Sequence, residues 1–192
     1  MADGKLITNT EIKKAIKGYD RDECVGLILE IAKSCSQAKE FLTLKLAEDN
    51  GAILDKYKKI VRNEFYPARG YGRLNLREAK KAISDFKKLS TDKKMVIDLM
   101  LFYVECCVEF TKAYGDIDES FYYSAESVYG QVVKEVINLD MPVYEEFSGR
   151  LAGVVDDSSG IGWGFHDCLQ EMHSELLAIY EFEDPDECED PA

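Results

Sequence analysis

The sequence predicts an all-α protein: a single compact domain of about seven to nine helices around a central apolar helix at residues 91–114. Three observations carry this. Apolar residues recur every three or four positions through most of the chain. Residues that start and stop helices bracket those runs. No run alternates with the two-residue period of a strand, and no hairpin turn occurs.

The elements follow in order. Thr8 or Thr10 can cap a short helix that Gly18 stops. Asp20 stands three residues before Glu23, a capping-box spacing, ahead of Val25, Leu27, Ile28, Leu29 and Ile31. That helix continues, with a break near Ser36, to Leu46, where Asp49-Asn50-Gly51 marks a turn. Ile53, Tyr57, Ile60, Val61 and Phe65 repeat at helical spacing until Pro67. Residues 67–75, with one proline and two glycines, read as a basic loop. Asn75 with Glu78 caps a helix ending near Leu89, and Ser90 or Thr91 starts the next. From Met95 to Val104 that helix is apolar on nearly every side, the pattern of a helix that others surround. Asp118 or Ser120 caps a helix to about Leu139, Met141-Pro142 opens one to Asp157, and a last helix runs from about Trp163 to Phe182. The domain therefore spans 1–182, with N-terminal helices in 1–66 and the central and C-terminal helices in 76–182. Residues 183–192 form an acidic tail with two prolines, predicted to be disordered.

Totals bound the function. A chain of 192 residues with 46% apolar content can bury a core of its own. No stretch approaches the length of an uncharged apolar span, and the first residues lack the build of a secretory signal, so a cytoplasmic location is expected. The six cysteines contain no C-x-x-C pair and read as buried reduced thiols. Net charge is −13, yet residues 1–94 hold 21 Lys and Arg against 14 Asp and Glu, and the remainder holds 3 against 23. The chain is electrically polarised along its length.

Several strings together resemble a bacterial family of all-helical proteins classed only as a domain of unknown function. They are TEIKKAIKGYDRDECVGLILEI from Thr10, ISDFKKLS from Ile83, YVECCVEFTKAYGDIDE from Tyr103, FYYSAES from Phe121 and GIGWGFHD from Gly160 to Asp167. The resemblance covers about residues 6–182. It implies a helical domain and carries no activity, cofactor or site residue with it.

Four constellations are candidates. Arg77, Lys80, Lys81, Lys87 and Lys88 share one helix face, and Arg69, Tyr71 and Arg73 lie in the loop before it. Cations with a stacking ring suit phosphates and an unpaired base, though a solvated lysine face explains the same pattern. His166 and His173 are two turns apart and could meet Glu105 and Glu109, which share a stripe with Asp98, around a divalent metal. A hydrogen-bonded pair of boundary histidines is the simpler account. The glycine loop with Gly160, Gly162, Trp163 and Gly164 lacks the phosphate-loop pattern and reads as structural, its glycines letting Trp163 and Phe165 wedge under neighbouring helices. Asp116-Ile117-Asp118-Glu119 lacks the further ligands of a calcium loop and reads as a helix start.

The first expectation is a non-enzymatic scaffold that docks a protein partner or its own copy through a charge-polarised surface. A nucleic-acid-associated module on the basic loop and stripe stands second, and a metal-dependent enzyme on the histidines third. No cofactor and no membrane are implied.

Overall fold

Capping side chains set five of the helix starts. The structure, a computed structural model, describes residues 6–47 and 50–181, which contain nine α-helices and no strand. The chain divides into two compact units, Met1–Glu48 and Asp49–Ala192. The acidic tail predicted at 183–192 lies outside the described residues.

The first unit holds α1 (Asn9–Ile16), α2 (Arg21–Ser34) and α3 (Ser36–Leu46). Thr8 and Glu11 form a reciprocal capping box on α1, and Asp20 and Glu23 form another on α2 with both bonds at 2.8 Å. Cys35 turns extended and separates α2 from α3, which pack against each other. None of the residues in these three helices is buried. Val25, Ile28, Leu29, Ile31 and Phe41 are exposed, as are Leu6 and Leu46 at the unit's two ends.

The second unit holds α4 (Gly51–Phe65), α5 (Leu76–Leu89), α6 (Lys93–Tyr114), α7 (Glu119–Ile137), α8 (Met141–Asp157) and α9 (Phe165–Glu181). Asp92 caps α6 through the Lys94 and Met95 N–H groups, so the helix begins at Lys93, two residues later than the spacing predicts. Asp118, the first of the two predicted capping residues, caps α7 at 2.9 Å.

α6 is the axis of this unit and packs on α4, α5, α7 and α8, while α9 closes over α7 and α8. Twelve of its residues are buried, including Leu99, Met100, Leu101, Tyr103 and Val104, which fits its apolar circumference. Burial of a Leu, Met or Phe side chain contributes about 1.5–3 kcal/mol, so α6 carries much of the unit's stability. Phe65 sits at one end, its ring centroid 6.0 Å from Tyr103, 6.1 Å from Phe110 and 6.4 Å from Phe121. The hydroxyls of Tyr103 and Ser124 satisfy each other at 2.8 Å in the core.

Ion pairs neutralise part of the charge polarity of the sequence. Lys58 pairs with Asp98 at 2.7 Å, Arg62 with Glu109 at 2.6 Å, Lys93 with Glu135 at 2.7 Å and Lys94 with Glu146 at 2.6 Å. Each pair joins a cation of the basic half to a carboxylate of the acidic half. Among the described residues no helix is long and apolar enough to cross a membrane.

Candidate functional site

The acidic stripe of α6 faces cations. Asp98 lies between Lys58 of α4 and Arg150 of α8, at 2.7 and 2.6 Å. Arg150 also grips both oxygens of Glu105 through Nε and Nη2, at 2.8 and 2.9 Å. Glu109 takes two bonds from Arg62, at 2.6 and 2.9 Å. Such forked guanidinium–carboxylate bonds are geometrically specific. Beside them α6 and α8 leave a groove of about 570 Å³, lined by Glu105, Glu109, Lys112, Arg150 and Asp157 and bridged by Lys112–Asp157 at 2.6 Å. Each charge of the groove is paired, Glu109 with Arg62 of α4 and the others with one another. The sequence reading missed the three cations. Lys58 and Arg62 stand four apart on α4, and Arg150 is one of only three cations after residue 94, a signal that could have found them.

The structure does not gather the proposed metal set. Glu105 and Glu109 belong to arginines, and among the described residues no group of three His, Cys, Asp or Glu side chains could hold one ion. His166 instead joins the start of α9 to the end of α8. The Ser158 hydroxyl donates to Val155 O at 2.6 Å, so the His166 ring, with Nδ1 2.9 Å from Ser158 Oγ and 3.2 Å from Val155 O, must donate from Nδ1. His173 is half-buried, and that burial lowers its pKa against the opposing pull of Asp156.

The glycine loop corrects half of the wedge expectation. Phe165 is fully buried and touches Tyr122 at 5.2 Å, but Trp163 is 60% exposed. Trp163 has φ +63°, with Gly160 and Gly164 also in the left-handed region. A tryptophan there is strained, and this conformation turns the ring outward.

The basic loop is anchored to α4. Leu74 N donates to Glu64 O at 2.9 Å, and a Cβ on Gly72 would meet Phe65 O at 2.2 Å. Only glycine permits that approach. The basic loop is therefore pinned at its centre, while Arg69, Tyr71 and Arg73 remain exposed, Tyr71 at 93%. On α5, Arg77, Lys80, Lys81 and Lys88 are exposed, but Lys81 and Lys88 lie 4.0 and 3.4 Å from Glu78 and Asp85. Lys87 turns aside and donates to Gln131 of α7 at 3.0 Å.

Of the thiols expected to be buried, Cys106 and Cys107 are buried, Cys24 and Cys168 are half-buried and Cys35 is exposed. Burial pushes Cys106 up to about 12, with Arg62 opposing, and raises Cys107 and Cys168 as well. A raised pKa removes the thiolate that a nucleophile needs. Cys24, Cys35, Cys106, Cys107 and Cys168 form no disulfide, and Cys188 lies outside the described residues.

No curated protein and no solved structure matches the chain. One family model matches residues 7–177, and the chain thus belongs to the family of unknown function DUF6155.

Proposed function

We propose that the protein is a non-enzymatic interaction module whose N-terminal unit, α1 to α3, docks a second copy of the chain. The observation that carries this is an unburied set of apolar side chains: Val25, Ile28, Leu29, Ile31 and Phe41 are exposed on helices that bury nothing. Helices of 8, 14 and 11 residues are short for stability on their own, and units of this size need a core or a partner. Val25, Ile28 and Leu29 stand at i, i+3 and i+4 and share one face of α2, and contiguous exposed apolar surface marks an interaction site. Residues 1–48 hold eight cations and eight acids, so two copies meet there without net repulsion, while the remainder of the chain carries the whole −13. The non-enzymatic part of the reading is supported by chemistry already committed elsewhere: the raised pKa of Cys106, Cys107 and Cys168, a hydrogen-bonded His166 and arginine-held carboxylates.

Sedimentation of the full chain across concentration tests this. Apolar docking predicts association that persists or tightens at high salt. Ile28→Asp with Leu29→Asp should abolish it without changing the helical spectrum of the second unit. A parent that stays monomeric at about 100 μM, weaker than any useful self-docking, would overturn the reading.

A nucleic-acid-associated role is the second reading, favoured by Tyr71 standing almost fully exposed between two exposed arginines. Its mark is affinity that falls steeply with salt and is lost in Arg69→Ala with Arg73→Ala.

A further inference from the structure

We propose that the cavity between α5 and α7 binds a compact phosphomonoester, with the phosphoryl group held by Lys80, Ser84 and Lys87. These three stand at i, i+4 and i+7, so they form one line along α5. They border a cavity of about 230 Å³ whose apolar lining is Ile83, Met100 and Val128 and whose far wall is Gln131.

The hydrogen-bond donors of this cavity outnumber its acceptors. Lys87 uses one N–H on Gln131 Oε1 and has two left. The Gln131 amide group is already committed to Ser127 O at 3.1 Å. Among the described residues, Lys80 has no ion pair and Ser84 no side-chain hydrogen bond. No carboxylate lines the cavity. Glu135, whose charge acts on Lys87, is engaged by Lys93 at 2.7 Å. In a chain with 37 acids against 24 cations, two ammonium groups around a cavity without an acid are an unbalanced positive site.

The ligand class follows from charge, donors and size. Two ammonium groups and a hydroxyl suit a dianion with several acceptor oxygens, which a phosphate monoester supplies and a single carboxylate does not. The volume admits a phosphoryl group with a short substituent against Ile83, Met100 and Val128, and is small for a drug-sized ligand. Burial lowers the pKa of Lys87, since desolvation disfavours its charge. An arriving anion reverses that penalty, so binding and the charged ammonium support each other.

Isothermal titration of the full-length protein with inorganic phosphate and with phenyl phosphate, at constant ionic strength, tests the site. One site per chain is expected, with phenyl phosphate the tighter ligand at a dissociation constant of about 0.1–1 mM. Lys80→Ala and Lys87→Gln should each weaken binding tenfold or more, while Arg69→Ala with Arg73→Ala should leave it unchanged. Lys80 is exposed, so its variant decides the matter if Lys87→Gln proves unstable. Three results would overturn the proposal. The first is no saturable heat up to about 10 mM phenyl phosphate, well above the affinity expected. The second is binding that Lys80→Ala leaves intact. The third is a 5′-phosphorylated oligonucleotide binding far more tightly than phenyl phosphate and losing that advantage in the arginine pair variant, which would make the basic face a polynucleotide surface.

Discussion

Replacing Arg150 with methionine separates a structural seam from a ligand site. The change deletes three bonds, one to Asp98 at 2.6 Å and two to Glu105 at 2.8 and 2.9 Å, together with the guanidinium's place 5.9 Å over the Phe147 ring, but keeps an apolar stem of similar length. Asp98 retains Lys58, whereas Glu105 is left without its cation. Breaking a fully buried pair costs about 3–5 kcal/mol, and an exposed pair is worth about 0–1 kcal/mol. The side chains of Arg150, Asp98 and Glu105 are 35%, 21% and 32% exposed, so the cost lies between, at about 2 kcal/mol after discounting for solvent. For a unit of this size that lowers the melting temperature by about 6–8 °C. Adding Glu105→Gln should recover part of the loss, because it removes the orphaned charge. Lys112→Met, which breaks the exposed pair to Asp157, is the control and should cost less than about 1 kcal/mol. Thermal and urea unfolding followed by circular dichroism read all four proteins. An Arg150→Met variant within about 0.5 kcal/mol of the parent, the range of ordinary surface substitutions, would refute the reasoning. So would a Glu105→Gln penalty that simply adds to that of Arg150→Met.

Three other outcomes are expected. Peptide mapping after brief labelling of the native protein should find Cys35 modified fastest, Cys24 and Cys168 more slowly, and Cys106 and Cys107 only after unfolding; early labelling of either of the last two would contradict their burial. Trp163 is the sole tryptophan, so native emission should be water-like and readily quenched, and Trp163→Gly should raise stability by about 1 kcal/mol through relief of its positive φ; blue-shifted, protected emission would show a wedged ring. Burial depresses the folded pKa of His173 below its ordinary 6.5, so the unfolded chain takes up the proton first as pH falls, and stability declines from about pH 6.5 downward toward the folded pKa; His173→Gln should flatten that part of the stability profile measured by urea unfolding, and an unchanged slope would count against the assignment.

Helices were legible because their signals are local. Asp20 with Glu23, Asn75 with Glu78 and the proline of the Met141-Pro142 start all act within one turn, and each marks a helix start in the structure. The apolar circumference of α6 likewise announced a surrounded helix. The site was harder to read because its partners are far apart in sequence. The spacing of Asp98, Glu105 and Glu109 correctly places them on a stripe, but spacing says nothing of what the stripe faces, and Lys58, Arg62 and Arg150 lie on other helices. Trp163 misled for a related reason. A large apolar residue between glycines suggests burial, while the positive φ that turns it outward has no signature beyond the glycines themselves.

The four ion pairs between the two halves of the chain span 40, 47, 42 and 52 residues. A fragment of residues 1–94 therefore keeps a net charge of +7 and lacks the carboxylates that these four cations meet in the fold. In longer fragments Lys58 gains its acid first and Lys94 last, at Glu146, so neutralisation proceeds as a sequence of long loop closures rather than helix by helix. The 1–94 fragment offers its unneutralised charge to any polyanion nearby. Truncation products ending near residue 94 are accordingly poor reporters of the finished protein: nucleic-acid binding measured on them would belong to the missing acids as much as to the lysines present.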